Sequence, residues 1–216
     1  FEIQDEGSQM VALLSGAKPG QNVLDYCAGG GGKTLALASH MGNKGQIHAT
    51  DSDKARLAPI FERMKRAETR NVQVHAAKSD LTALESAMDL VLIDAPCTGA
   101  GTWRRRPDAK WRLSQSQLDQ RVNEQAAILE KAKAFVKPGG RIAYITCSVF
   151  EAENAGQVRR FLGANADFKA IDPKSLMLAL LPALPAEAVL LSPQGLTLPP
   201  LRTGTDGFFL WVLQNS

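Results

Sequence analysis

The chain is poor in cysteine and contains no long hydrophobic run. Only three of its 216 residues are cysteines, and their wide spacing matches neither a disulfide framework nor a set of metal ligands. We therefore expect free thiols in a reducing compartment and no bound metal. No window approaches the roughly 20 apolar residues that a membrane span requires. These absences predict a cytoplasmic protein without a membrane partner.

The chain also lacks a secretion signal and a strong net charge. Its first residues show neither the basic segment nor the apolar core of a signal peptide. The sequence begins at Phe1 rather than Met, so we expect either a processed protein or an excised catalytic piece whose upstream domain is missing. The net charge is +3. This mild excess permits a polyanionic partner but does not require one.

Short apolar runs and helical patterns alternate along most of the chain. This alternation predicts βαβ units and a parallel sheet, hence an α/β fold. A capping-box sequence at residues 114–117 marks the start of the longest helix. Strands are predicted at 22–26, 46–50, 72–75, 90–93 and 141–146, and helices at 33–40, 52–67, 114–136 and 151–165.

The chain length fits one domain, and the regular pattern weakens after about residue 170. We expect a single catalytic domain over 1–216, with an N-terminal lead-in at 1–20. Residues 171–207 are rich in Leu, Ala and Pro and predict an irregular segment. Residues 208–213 predict a closing strand after a turn.

A glycine-rich loop at residues 25–34 (DYCAGGGGKT) follows the first predicted strand and opens the first helix. Such a loop lets backbone approach a ligand closely at a helix N-terminus. A P-loop would need glycine where Cys27 stands. A dinucleotide-binding loop would need glycine where Thr34 or Leu35 stands. S-adenosylmethionine remains as the predicted ligand, against the alternative of a merely tight turn.

Acidic residues follow the next three predicted strands, in register with the glycine loop. Asp51 lies roughly 20 residues beyond the loop, where a ribose hydroxyl partner belongs. Asp80 is placed to reach the adenine amino group, and Asp94 ends the fourth strand. Asp53, by contrast, is predicted to be a helix cap. The predicted cofactor-binding residues are Cys27, Ala28, Gly29, Gly30, Gly31, Gly32, Lys33, Asp51, Asp80 and Asp94.

Cys97 and Cys147 each follow an apolar run that predicts a buried parallel strand. The carboxyl ends of such strands form the edge where ligands bind in open α/β sheets. Two thiols at that edge suit an enzyme that attacks an electron-poor ring, because a thiolate is a strong nucleophile and a good leaving group. The alternative is a pair of small, buried, inert thiols.

These motifs resemble those of the RNA (cytosine-5)-methyltransferases of the Sun/Fmu type, which include the bacterial small-subunit ribosomal RNA methyltransferase B group. In this family the glycine loop usually reads CAAPGGKT, whereas Gly29 and Gly30 replace Ala-Pro here and loosen the loop. The resemblance spans nearly the whole chain. The matching segments are QDEGSQ at 4–9, the loop at 25–34, Asp51, Asp80, DAPCTG at 94–99, Arg104, Arg105, Pro107, Asp108, TCS at 146–148, Glu153, Asn154, and TDGFF at 205–209.

The resemblance implies a Rossmann-like methyltransferase fold with a mostly parallel seven-stranded sheet and helices on both faces. It implies S-adenosylmethionine-dependent methylation of carbon 5 of a cytosine in RNA. Ribosomal RNA is the preferred substrate, and transfer RNA is the alternative. A non-catalytic RNA-binding module on the same fold is a further alternative. The missing upstream domain would then bind RNA. We expect the protein to be a monomer.

The family also implies roles for the site residues. Cys147 attacks carbon 6 of the cytosine, Cys97 assists release of the covalent adduct, and Asp94 hydrogen-bonds the cytosine ring nitrogen. Spacing alone leaves the thiol roles open, because the pair Pro96-Cys97 resembles the nucleophile site of DNA cytosine-5 methyltransferases.

An arginine-rich loop with two tryptophans lies at residues 103–112, directly after Cys97. Cationic side chains bind phosphates and aromatic rings stack on bases. The alternative is a solvated charged loop. The predicted RNA-binding residues are Arg104, Arg105, Arg106 and Lys110.

Overall fold

The computed structural model describes residues 2–216 and contains one sheet whose first five strands are parallel. Phe1, the first residue of the expected lead-in, lies outside the described residues. The strands are β1 (Asn22–Asp25), β2 (Gln46–Ala49), β3 (Val72–Val74), β4 (Met88–Asp94), β5 (Val136–Thr146), β6 (Phe168–Ala170), β7 (Leu190–Ser192), β8 (Gly195–Leu198) and β9 (Phe208–Asn215).

The helices fill the connections between strands, as the alternating pattern predicts. The α-helices are α1 (Glu6–Leu14), α2 (Gly32–His40), α3 (Lys54–Leu57), α4 (Ile60–Arg66), α5 (Ala109–Arg112), α6 (Gln115–Ala132), α7 (Ala155–Ala164), α8 (Pro173–Leu180) and α9 (Pro200–Thr203). Within residues 2–216, no helix combines the length and the apolar character needed to cross a bilayer.

Two predicted helices are interrupted. The helix expected at 52–67 divides into α3 and α4 at Pro59, which has no backbone N–H to donate and whose ring crowds the preceding turn. The helix expected at 151–165 begins as a 3₁₀ turn (Glu151–Glu153) and becomes α-helical only after Asn154. Asp53 caps α3 and the capping box of Ser114 and Gln117 starts α6, as predicted.

Alternate side chains of the central strands build two cores, one on each face of the sheet. On β4, Leu90 and Leu92 pack with residues of α1 and α2. Val91 and Ile93 face the opposite side and pack with residues of α6 and α7. A strand that is buried on both faces has a continuous apolar sequence. The burial of β4 on both faces explains why this strand could be predicted from the sequence.

The sheet order is β3-β2-β1-β4-β5-β9-β8-β7, and β6 pairs with β9. The closing strand β9 runs antiparallel to β5, as predicted. The expected count of seven strands was wrong, because the sheet has nine. The expectation of an irregular 171–207 segment was also wrong: this segment contains α8, the β7–β8 hairpin and α9. Strand β8 pairs with the outer edge of β9 and buries Leu196 and Leu198, which covers an edge that would otherwise expose unpaired backbone groups.

Candidate active site

Two cysteine side chains meet at the carboxyl edge of the sheet. Strands β4 and β5 are parallel neighbours that end at Asp94 and Thr146, so the loops that carry Cys97 and Cys147 leave the sheet side by side. The two sulfur atoms lie 3.3 Å apart, within hydrogen-bonding distance of one thiol to the other. Both cysteines are free and partly exposed.

Backbone contacts hold the loop of Cys97 against the rest of the edge. The Gly101 N–H donates to the Cys147 carbonyl at 2.9 Å, and the Gly207 N–H donates to the Gly101 carbonyl at 2.8 Å. A side chain at Gly101 would come within 2.2 Å of the Gly207 carbonyl oxygen. Glycine at position 101 is therefore required for the loop to reach the segment before β9.

Cys147 lies in a cleft that also contains a buried cation. The cleft has a volume of about 240 Å³, and its lining includes Lys33, Asp94, Arg105 and Phe208. The Lys33 Nζ is 2.7 Å from the Asp94 Oδ2 and 5.1 Å from the centre of the Phe208 ring. Lys33 is only 7% exposed. A buried ammonium is stable here because it has both a carboxylate partner and an aromatic face.

The hydrogen bond from Cys97 lowers the pKa of the Cys147 thiol, and the charge of Lys33 lowers it further. Burial and the charge of Asp94 act in the opposite direction. A lowered pKa increases the fraction of thiolate, which is the nucleophilic form of cysteine. The surroundings of Cys147 thus favour a reactive thiol.

Cys97 has the opposite surroundings. It lines a separate cavity of about 440 Å³ beside the arginine-rich loop. The hydrogen bond to Cys147 raises the pKa of the Cys97 thiol, and burial, the charge of Cys147 and the negative charge of Glu153 raise it further. The two thiols are therefore shifted in opposite directions, and Cys97 keeps its proton to a higher pH than Cys147.

The glycine loop turns sharply between β1 and α2. Gly29 and Gly31 adopt positive φ angles of 49° and 82°, and a side chain at Gly31 would lie 2.5 Å from Ile60. Only glycine combines this backbone conformation with such a close approach. The Gly29 N–H donates to the Asp51 Oδ2 at 2.9 Å, and the Arg63 guanidinium donates to the Gly30 carbonyl at 2.6 Å. The loop is therefore held from both sides.

Asp25, at the end of β1, is a buried carboxylate beneath the glycine loop. The Thr34 hydroxyl donates to its Oδ2 at 2.7 Å, and its Oδ1 has no partner among the described residues. Burial raises the pKa of Asp25 to about 7, although the bond from Thr34 acts in the opposite direction. Burial also raises the pKa of Cys27, so Cys27 is poorly suited to act as a nucleophile.

The predicted site residues do not all converge. Asp51 lies beside the glycine loop, whereas Asp80 is exposed and accepts hydrogen bonds from the backbone N–H and hydroxyl of Thr82. Ala28 is buried between the sheet and α4, in a cluster that includes Ile60. Its packing supports the loop from below.

The arginine-rich loop divides into an anchored part and a free part. The Arg105 guanidinium pairs with Asp206, which is only 1% exposed. Arg104 Nε lies 3.4 Å from the same carboxylate. Within residues 2–216, neither Arg106 nor Lys110 forms an ion pair, and the Lys110 ammonium lies 4.5 Å from the centre of the Trp111 ring. Trp111 is 80% exposed.

Sequence reasoning assigned no role to several polar residues that shape the site. Asp25, Glu153, Asn154 and Asp206 were recognised only as part of the family match, and Gln125 was not singled out. All five are buried. A polar residue on the apolar face of α6 could have pointed to Gln125. The other four residues follow strand ends or turns, where a buried polar side chain and a solvated one cannot be told apart from the sequence.

The comparisons with known proteins identify the family of this chain. The family model described as 16S rRNA methyltransferase RsmB/F matches residues 12–214. A Bacillus subtilis protein named probable ribosomal RNA small subunit methyltransferase B is 34% identical over 99% of this chain and 47% of its own length. A Synechocystis protein of the same name is 32% identical over 79% of this chain and 39% of its own length. The chain thus spans less than half the length of these relatives.

Solved structures support the same assignment. A methyltransferase homologue from Pyrococcus horikoshii superposes with a TM-score of 0.80 at 28% identity, covering 100% of this chain and 68% of its own. NSun6 from Pyrococcus horikoshii, solved with SFG, gives a TM-score of 0.77 at 26% identity, covering 98% of this chain and 52% of its own. The fold is therefore that of the Rossmann-like methyltransferases, and the chain belongs to the RsmB/F family of 16S rRNA methyltransferases.

Proposed function

We propose that this domain transfers a methyl group from S-adenosylmethionine to carbon 5 of a cytosine in RNA, through a covalent adduct with Cys147. The observation that carries the proposal is the thiol pair. Two sulfurs lie 3.3 Å apart at the carboxyl edge of the sheet, with a lysine acting on one and a buried glutamate acting on the other.

The residues around the glycine loop fit the cofactor. The positive φ angles of Gly29 and Gly31 give the loop a sharp turn that lets backbone approach a ligand closely, and Asp51, two residues after β2, fits a ribose hydroxyl partner. In the proposed site the backbone of Cys27, Ala28, Gly29, Gly30, Gly31, Gly32 and Lys33 holds the amino-acid end. Asp80, whose carboxylate accepts hydrogen bonds from Thr82 in the structure, is proposed to bind the adenine amino group when the cofactor is present. When bound, the cofactor supplies the electrophilic methyl group. The NSun6 structure with SFG supports a ligand of this class in the family.

Attack begins with the thiolate of Cys147. Its sulfur forms a bond to carbon 6 of the cytosine, and the electron pair of the carbon 5–carbon 6 double bond makes carbon 5 nucleophilic. Asp94, in its protonated form, donates a hydrogen bond to the ring nitrogen, where negative charge develops. The Lys33 ammonium, 2.7 Å from Asp94, stabilises that charge. The site is thus arranged to stabilise the adduct electrostatically.

Release of the methylated base requires the bond between Cys147 and carbon 6 to break, with sulfur as the leaving group. After methylation, the proton on carbon 5 leaves to solvent, the bond between Cys147 and carbon 6 breaks, and the electron pair returns to the sulfur. The Cys97 thiol donates a hydrogen bond to that sulfur and stabilises it as a leaving group. Its raised pKa supports this role, because Cys97 must keep its proton until the adduct breaks down.

The substrate is proposed to be ribosomal RNA, with transfer RNA as the alternative. The names of the bacterial relatives support ribosomal RNA of the small subunit. The target base must be unpaired or flipped out, since a stacked ring is inaccessible to the thiolate. Arg106 and Lys110 are proposed to contact phosphates, and the exposed Trp111 ring offers a stacking surface. Arg104 and Arg105 support this face through Asp206.

We further propose that the domain acts in the cytoplasm as a monomer. The matched relatives are more than twice as long as the chain. An RNA-binding region outside the chain is proposed to supply part of the affinity.

The test is methyl transfer from labelled S-adenosylmethionine to small-subunit ribosomal RNA and, separately, to transfer RNA. We expect label in the ribosomal RNA at a cytosine that resists bisulfite conversion. Binding of RNA without transfer to any pool would support the non-catalytic alternative and contradict the enzyme. Label at a base other than cytosine would contradict the proposed chemistry.

A further inference from the structure

A buried dipeptide, Glu153-Asn154, lies between the loops of Cys97 and Cys147. Glu153 is fully buried and Asn154 is 5% exposed. The helix that follows Cys147 is interrupted here, because Asn154 has φ −114° and ψ −103° and α7 begins only at the next residue. This interruption places two successive polar side chains inside the protein.

The Glu153 carboxylate binds the loop of Cys97. Its Oε1 accepts from the Thr98 N–H at 2.8 Å, and its Oε2 accepts from the Thr98 hydroxyl at 2.6 Å. Gln125 donates to the same Oε1 at 3.0 Å and to the Pro96 carbonyl at 3.0 Å. Residues on both sides of Cys97 are therefore fixed by one network.

The Asn154 side chain binds the loop of Cys147 in the same way. Its Oδ1 accepts from the Thr146 hydroxyl at 2.6 Å, and its Nδ2 donates to the Ser148 carbonyl at 2.9 Å. The two residues that flank Cys147 are thus tied to one amide. The Tyr144 hydroxyl donates to the Glu153 carbonyl oxygen at 2.8 Å and fixes the dipeptide to β5.

A buried carboxylate without a cation must be held by hydrogen bonds, since desolvation of an isolated charge is costly. No lysine or arginine within residues 2–216 forms an ion pair with Glu153. Three donors satisfy it instead. The carboxylate accepts hydrogen bonds from Thr98, the residue next to Cys97, and its negative charge raises the pKa of the Cys97 thiol.

We propose that Glu153 and Asn154 are positioning residues that hold the two cysteine loops at thiol contact distance, and that the Glu153 carboxylate keeps the proton on Cys97. This inference rests on the proposed function, because it explains how two chemically identical side chains take different roles. Glu153 acts through Cys97 and touches no substrate. Its effect is to make Cys147 the nucleophile.

Other charged groups also face the surroundings of Cys97. Tyr144 and Cys147 lie on β5 and the loop that follows it, and burial raises the pKa of Tyr144. Across the cavity, Arg112 pairs with Asp108 and Arg121 pairs with Glu124, while Arg106 lies on the same lining. The paired charges compensate one another. Glu153 is the buried charge whose removal we expect to change the protonation of Cys97.

The first test measures Cys97 directly, without RNA or cofactor. In a Cys147→Ser background, the rate of Cys97 alkylation by iodoacetamide is followed against pH by peptide mass spectrometry, with and without Glu153→Gln. We expect Glu153→Gln to lower the pH midpoint by about one unit, which is about tenfold faster alkylation below the midpoint. The control is Glu151→Gln, an exposed residue paired with Arg159. Equal midpoints in all three proteins would overturn the charge effect.

The second test measures position. Thr98→Val removes the hydroxyl that Glu153 holds, and Thr98→Ser keeps it. We expect diamide to form the Cys97–Cys147 disulfide several-fold more slowly in Thr98→Val, and at the original rate in Thr98→Ser. Equal rates would overturn the positioning role. If Glu153→Gln fails to fold, as judged by thermal unfolding, this valine–serine pair decides the proposal.

The two tests separate the inference from the proposed function. Suppose that the wild-type domain transfers no methyl group but Glu153→Gln changes the thiol chemistry. That result would contradict the proposed methyltransferase activity and support the positioning role of Glu153. Methyl transfer by the wild-type domain with unaltered thiol chemistry in the variants would overturn the inference alone.

Discussion

The two thiol environments differ although their sulfur atoms are only 3.3 Å apart. Cys147 shares a cleft with the Lys33–Asp94 pair, and its pKa is lowered by the Cys97 hydrogen bond and by Lys33. Cys97 lies against Glu153 and its pKa is raised. The side chains are identical, so the difference arises from the hydrogen bond between them and from the charges behind them. The role of each cysteine therefore depends in part on groups that do not themselves react.

The largest expected effect comes from removing the cation beside Cys147. Lys33→Met removes a charge that lowers the Cys147 pKa, so the thiolate should form only at higher pH. We expect the pH profile of methyl transfer to move upward by about one unit, with about tenfold less activity below the original midpoint. A profile of unchanged midpoint would contradict the role of Lys33. Lys44→Met, which changes an exposed lysine outside the site, is the matched control.

A smaller effect is expected in the loop that follows Cys97, where adjacent arginines have different surroundings. Arg105→Met leaves the buried Asp206 with a weaker partner and should destabilise the fold by roughly 1–3 kcal/mol in urea unfolding. Arg106→Met should leave stability unchanged. It should instead weaken RNA binding and reduce the slope of affinity against salt by about one. Equal losses of stability in Arg105→Met and Arg106→Met would contradict the difference between an anchored Arg105 and a free Arg106.

The smallest effect is expected at Asp25, beneath the glycine loop. Its pKa is raised to about 7, so the folded state binds more protons than the unfolded state between about pH 4 and pH 7. The contribution of Asp25 to stability is therefore lost as pH rises through about 7. Asp25→Asn should lose less stability than the wild type between pH 6 and pH 8. An equal loss of stability in Asp25→Asn and the wild type between pH 6 and pH 8 would contradict the raised pKa of Asp25. As a control, the alkylation rates of Cys147 and Cys97 should be unaffected by this substitution.

The parallel half of the fold was predictable from the sequence, because each central strand is buried on both faces. Val91 and Ile93 pack on one side of β4 and Leu90 and Leu92 on the other, which leaves a continuous apolar run. The β7–β8 hairpin was missed because it is short and all three residues of β7 are exposed. Its pairing depends on the free edge of β9, which no local pattern reveals.

The position of the candidate site was predictable to the level of the sheet edge. Strand ends located Cys97, Cys147 and Asp94, because parallel neighbours end at the same edge. The electrostatic difference between the thiols was not predictable. It depends on the hydrogen bond between the thiols and in part on Glu153, which follows Cys147 by six residues yet contacts the loop of Cys97 through Thr98. The break between the 3₁₀ turn and α7 at Asn154 places the Glu153 side chain against Thr98.

The most direct measurement is adduct trapping on denaturing gels, with substrate RNA and S-adenosylmethionine. We expect Cys97→Ala to accumulate a covalent protein–RNA adduct, because Cys147 attacks and release is slow. We expect Cys147→Ala to form neither adduct nor methylated RNA. An adduct in Cys147→Ala and none in Cys97→Ala would reverse the two roles and contradict the assignment of Cys147 as the nucleophile.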